Sequence, residues 1–86
     1  MNFEKINKEV LTMTYRRLYI TIDSLVRTGL EKVNVLGVEE SQADLWQIYD
    51  MCQELMAFWE DELTEDRIDE LEEIIAELPL LKGRAE

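Results

Sequence analysis

The chain contains no histidine, one cysteine, one proline and three glycines. Without histidine there is no imidazole base for a serine or cysteine nucleophile, and no His-ligated zinc. Ser24 and Ser41 are the only serines, so neither has such a partner. Cys52 stands alone and cannot close an internal disulfide, which makes a reducing cytoplasm the expected compartment. Apolar residues nowhere run for the roughly 18 positions that a membrane span requires. The stretch Met1-Asn2-Phe3-Glu4-Lys5 does not read as a secretory signal. No glycine-rich loop is present to cradle a phosphate. The 86 residues suffice for a single small domain over 1–86, whose thin core a partner subunit would help to complete.

What is present reads as helix. Leu11, Tyr15, Leu18, Ile22 and Leu25 recur at spacings of four and three, which predicts a first helix over about residues 3–28. The run Tyr19-Ile20-Thr21-Ile22 has β propensity, but the helical stripe passes straight through it and no second strand is available to pair with it. Residues 29–37, bracketed by Gly29 and Gly37, fit a kinked continuation, a turn or a short extended piece. A second helix is expected over 42–62, with Ser41 as cap and Asp44 completing a capping-box-like start. Its stripe runs Leu45, Ile48, Tyr49, Cys52, Leu55, Met56, Trp59 and Leu63. Thr64 reads as the N-cap of a third helix over 65–78, striped by Ile68, Leu71, Ile74, Ile75 and Leu78 and stopped by Pro79. The fold class is therefore all-α. A small bundle of three main helices is expected, the last two forming an antiparallel hairpin, with completion by dimerisation and a flexible tail over 80–86.

Charge is unevenly spread. The chain carries 20 acids and 9 bases, a net −11. Residues 1–34 hold six bases and four acids, whereas residues 35–86 hold three bases and sixteen acids. Direct binding to nucleic acid or to an anionic membrane is disfavoured by such a balance. On the third helix Glu62, Asp66, Asp69, Glu70, Glu73 and Glu77 gather opposite the apolar stripe. Several of them are like-charged at i,i+4, which costs a helix a few tenths of a kcal/mol per pair. An acidic strip of this kind can occupy a basic groove in place of phosphates, or can act as a solvated face that keeps the protein soluble. The carboxylates do not read as a metal site. An EF-hand loop begun at Asp61 would put Leu63 at a ligand position and Asp66 where glycine is needed. The stretch Glu39-Glu40-Ser41-Gln42-Ala43-Asp44-Leu45-Trp46 faintly resembles the second carboxylate motif of all-helical nucleotide pyrophosphohydrolases. Its spacing is wrong, with Ser41 at the required acid position, and the first motif is missing upstream. No cofactor or metal is expected, and Cys52, on the second apolar stripe, reads as a buried structural thiol.

Two further sets stand out. Tyr15, Arg16, Arg17 and Tyr19 join two guanidinium groups to two rings, a combination able to hold an anionic, nucleotide-like ligand. Apolar residues off the main stripes (Ile6, Met13 and Ile20 on the first helix; Trp46, Met51 and Phe58 on the second) imply self-association or a hydrophobic anchor for a partner. Together these features point to a non-enzymatic cytoplasmic interaction protein. The reading favoured by charge is an inhibitor or regulator, a DNA mimic that binds the basic surface of a nucleic-acid-binding protein through the acidic face. Its size and charge are similar to those of small acidic viral and mobile-element proteins that block host nucleases. The alternatives are an oligomeric module sequestering an anionic ligand through Tyr15, Arg16, Arg17 and Tyr19, and a structural component working by helix packing. A homodimer or higher homo-oligomer is expected in each case.

Overall fold

The computed structural model describes the backbone of residues 3–81 and the side chains of residues 14–81. Among the described residues the chain forms helix α1 (Phe3–Leu36), helix α2 (Gln42–Phe58), a single 3-10 turn (Glu60–Glu62) and helix α3 (Glu65–Ile75), with no strand. The molecule measures 54 × 24 × 16 Å. At 1.5 Å per residue, the 34 residues of α1 account for about 50 Å of the long dimension.

Helix α1 passes through Gly29 and ends at Gly37, so residues 29–36 continue the helix that the apolar stripe predicts only to residue 28. A glycine inside a helix costs about 1 kcal/mol relative to alanine. Here packing outweighs that cost. A β-carbon at Gly29 would lie 3.0 Å from Leu45 Cδ2, 3.1 Å from Leu78 Cδ2 and 3.2 Å from Ile48 Cδ1. The bare backbone at Gly29 is thus the place where side chains from α2 and from the end of α3 press onto α1. Gly37 makes the actual stop. It adopts φ 89°, a conformation open to glycine, and its N–H donates to the Val33 carbonyl at 2.8 Å.

Helix α2 runs antiparallel to α1, and α3 runs parallel to it. Leu45, near the start of α2, and Leu78, just past α3, both meet Gly29. At the other end Trp59 shares a cleft with Leu18, and Arg67 lies over Tyr15. The core consists of Leu18, Ile22 and Val26 from α1, then Leu45, Ile48, Cys52 and Met56 from α2, and Leu71, Ile75 and Leu78 from α3 and its extension. The thiol of Cys52 is fully buried, and burial pushes its pKa up to about 11.

The remaining boundaries shift for local reasons. Helix α2 stops at Phe58 rather than near 62, because Glu60-Asp61-Glu62 would place three anions at the negative end of the helix dipole. Those residues form the 3-10 turn instead. Thr64 caps α3 as expected, its Oγ1 accepting from the Arg67 N–H at 3.3 Å. Past Ile75 the chain tightens to i→i+3 bonding, with Glu77 N–H donating to Ile74 O and Leu78 N–H to Ile75 O, before Pro79. The expected cap at Ser41 does not form. Its backbone is already in the helical region, its N–H donates to Gly37 O at 3.2 Å, and its buried hydroxyl makes no hydrogen bond. Asp44 pairs with Lys32 at 3.0 Å instead.

Gln42 ties the two ends of the hairpin together. Its Nε2 donates to Val38 O at 3.0 Å and to Pro79 O at 2.9 Å, while its Oε1 accepts from the Leu81 N–H at 2.9 Å. Leu80 packs against the core. The first two residues of the expected tail are held in this way, and residues 82–86 lie outside the described part.

Two stability measurements check this packing. Gly29→Val is expected to lose about 2–3 kcal/mol in urea unfolding through overpacking. Gly29→Ala should stay within about 1 kcal/mol of the native protein, because gained helix propensity offsets the crowding. A valine variant as stable as the native chain would contradict the close approach. Gln42→Ala removes three hydrogen bonds and should cost about 1–3 kcal/mol, with faster amide exchange at Leu81 as the local signature.

Candidate functional site

Among the described residues the outer side of α3 carries a dense row of carboxylates. Glu65, Asp66, Asp69, Glu70, Glu72 and Glu73 are all exposed, as are Glu62 before the helix and Glu77 after it. This follows from helical geometry. Leu71 and Ile75 point to the core, and carboxylates spaced three and four residues apart are carried together to the far side. Among the described residues the two ion pairs lie elsewhere, Arg27 with Asp23 at 2.9 Å and Lys32 with Asp44 at 3.0 Å. None of the α3 carboxylates takes part in either.

The six expected acidic positions divide between two settings. Glu70, Glu73 and Glu77 edge an open groove of about 640 Å³ between α1 and α3, into which Tyr19, Leu30 and Ile74 also project. Asp23 and Arg27 of α1 complete its rim. Asp66 and Asp69 stand on α3 outside this groove, and Glu62 belongs to the 3-10 turn.

The expected cluster of arginines and tyrosines is also divided. Tyr15, Arg16 and Tyr19 line a cleft of about 360 Å³ that continues the groove toward the start of α3, together with Arg67 and Glu70. Arg17 faces a different cleft, between α1 and α2, shared with Leu18, Leu55 and Trp59. The Arg67 guanidinium lies 4.6 Å from the centre of the Tyr15 ring, a cation–π contact. Tyr19 lies 6.0 Å from Tyr15 at a tilt of 56°. The Tyr15 ring is therefore already covered, and a carboxylate stands in the cleft where an anionic ligand would sit. The Tyr15 hydroxyl is closed off from solvent without a well-formed hydrogen bond. Burial is the main reason that its pKa is pushed up from 10.0 to about 12, with Glu70 and then Tyr19 adding to the effect and Arg67 opposing it.

Of the off-stripe apolar residues, Ile20, Met51 and Phe58 are exposed, Phe58 at 76%. Phe58 meets Trp59 edge-on at 5.1 Å, and Trp46 is half-buried, edge-on to Tyr49 at 5.4 Å. The side chains of Ile6 and Met13 lie outside the described residues. Periodicity overlooked the part played by Arg67, the lone base of α3, and by Asp23 and Arg27. Their charge was visible in the sequence, but their shared groove depends on α1 and α3 running parallel. The exposed Val35 and Leu36 were hidden in the segment whose structure pattern alone leaves open.

Among the described residues no group of three acids or thiols converges closely enough to hold a metal ion, and no helix is long and apolar enough to cross a membrane. Compared with known proteins, the chain matches no family model, no curated protein and no solved structure.

The raised Tyr15 pKa has a definite sign. The folded state holds the phenol protonated above the ordinary value of 10.0, so this stability is complete below pH 10 and is lost as the pH rises to about 12. Unfolding midpoints measured across that window should fall in the native protein and fall less in Tyr15→Phe. Equal falls in the two would contradict the assignment.

Proposed function

We propose that this chain is a non-enzymatic, cytoplasmic interaction protein, an inhibitor or regulator that docks on the basic surface of a nucleic-acid-binding protein through the outer face of α3. The observation that supports this reading is the row of exposed α3 carboxylates outside every described ion pair. Six acids fall within the eleven residues of this helix. At 1.5 Å per residue that is about one charge per 2.8 Å of axis, against about 3.4 Å for one strand of duplex DNA. A basic groove built for phosphates therefore meets a comparable line charge on a rigid rod. Such complementarity accelerates encounter and selects the partner.

The test uses two carboxylates that stand outside the groove. The immobilised chain should retain a basic, nucleic-acid-binding protein from its host lysate, and added duplex DNA should displace it. Asp66→Lys with Asp69→Lys should abolish this retention while circular dichroism shows intact helices. Retention that withstands both the duplex and the charge reversal would sink the proposal.

The second reading, an anionic ligand held by Tyr15, Arg16 and Tyr19, gains Arg67 as a further cation but loses Arg17 to another cleft and faces Glu70. It is the weaker of the two.

A further inference from the structure

We propose that this chain forms a two-fold dimer through the α1–α3 groove, the Arg16–Arg67 end of each copy lying on the Glu73–Glu77 end of the other. A two-fold interface needs a patch that complements itself, so that every contact is returned by its counterpart. The groove has that character. Arg16 and Arg67 flank one end, and Glu73 and Glu77 edge the other. From Arg67 to Glu77 the chain advances about 15 Å along α3 and the turn that follows it. This exceeds the screening length of about 8 Å at physiological salt, so the two ends cannot satisfy each other within one copy. Between the two ends Tyr19 and Ile74 line the groove, Tyr19 with 36% of its surface exposed. A two-fold axis at that level would bring these apolar groups together at the centre and leave the charges at the ends, the arrangement of a buried core with a polar rim.

Asp23 and Arg27 already satisfy each other at 2.9 Å. Glu70, the remaining carboxylate of the groove, stands at the arginine end beside Tyr15. The charges offered to a second copy are therefore of opposite sign at opposite ends. Two other clefts among the described residues lack this balance. The one between α2 and α3 presents Glu60 and Glu72 without a base, and the one between α1 and α2 presents Arg17 without an acid. A chain of net charge −11 repels its own copies wherever acids stand alone. The groove is where that repulsion turns into attraction. Asp66, Asp69 and Glu62 remain outside it, and the Asp66/Asp69 charge reversal tests docking on a basic partner separately from this pairing.

Sedimentation equilibrium of the full chain should give twice the monomer mass at micromolar concentration. The double variant Arg16→Glu/Arg67→Glu, and separately Glu73→Arg/Glu77→Arg, set like charges against each other and should each weaken self-association roughly tenfold or more. Mixed in equal amounts, the two variants should form a mixed dimer, because each supplies the charge that the other now needs. Tyr19→Asp, a change outside the buried core, should weaken the native dimer as well. A native chain that sediments as a monomer overturns the proposal. So do charge variants that remain dimeric alone, or that remain monomeric when mixed with their helices intact. If either charge variant fails to fold, the Tyr19→Asp chain decides, and an undiminished dimer overturns the proposal.

Discussion

The contact at Gly29 sets the geometry of the bundle. Three side-chain tips, from Leu45, Ile48 and Leu78, crowd to within 3.2 Å of the place where its β-carbon would be. A side chain larger than alanine at this position would hold α2 and the end of α3 away from the α1 backbone. Because both come to the same residue of α1, the α2 and α3 layers are fixed in register with it, and α3 is aligned parallel to α1. Everything in the candidate site depends on that alignment. It carries Arg67 over Tyr15 at one end and brings Glu73 and Glu77 level with Arg27 at the other. The Gln42 side chain holds the same end of the bundle shut by bridging Val38, Pro79 and Leu81.

Charge works against this compact core. Sixteen of the 20 acids fall after residue 34, and those on α3 gain no ion pair among the described residues. Exposed carboxylates in water repel weakly, by tenths of a kcal/mol per neighbouring pair. A core with ten buried residues among those described tolerates such a load. The negative field left over is available for recognition, and the few bases are not scattered at random. Lys32 secures Asp44, Arg27 secures Asp23, and Arg67 covers Tyr15. Arg16 stands at the rim of the groove.

How much of this could be read beforehand varies from element to element. The α2 and α3 stripes were legible because Leu45, Ile48, Cys52 and Met56, and then Leu71, Ile75 and Leu78, repeat at helical spacing and are buried. Thr64 was legible because a cap depends on one side chain and the next turn. Gly29 was not, because its local penalty argues for a helix end while its role comes from residues sixteen and more positions away. Ser41 misled for the opposite reason. Its residue type suits a cap, but the turn from Gly37 had already placed its backbone and buried its hydroxyl. Helical spacing gathers the acids on a single surface, whereas the parallel packing of α1 and α3 splits it between a groove edge and an open flank. The same packing separates Arg16 from Arg17, neighbours in sequence that serve different clefts.

The outer face of α3 is the proposed binding surface of this protein. Hydrogen exchange of the chain, alone and saturated with its captured partner, tests it most directly. The account predicts slowed exchange concentrated in residues 65–75, with the outer side of α2 around Met51 and Phe58 changing less. Protection confined to α2, with α3 exchanging as it does in the unbound chain, would contradict it.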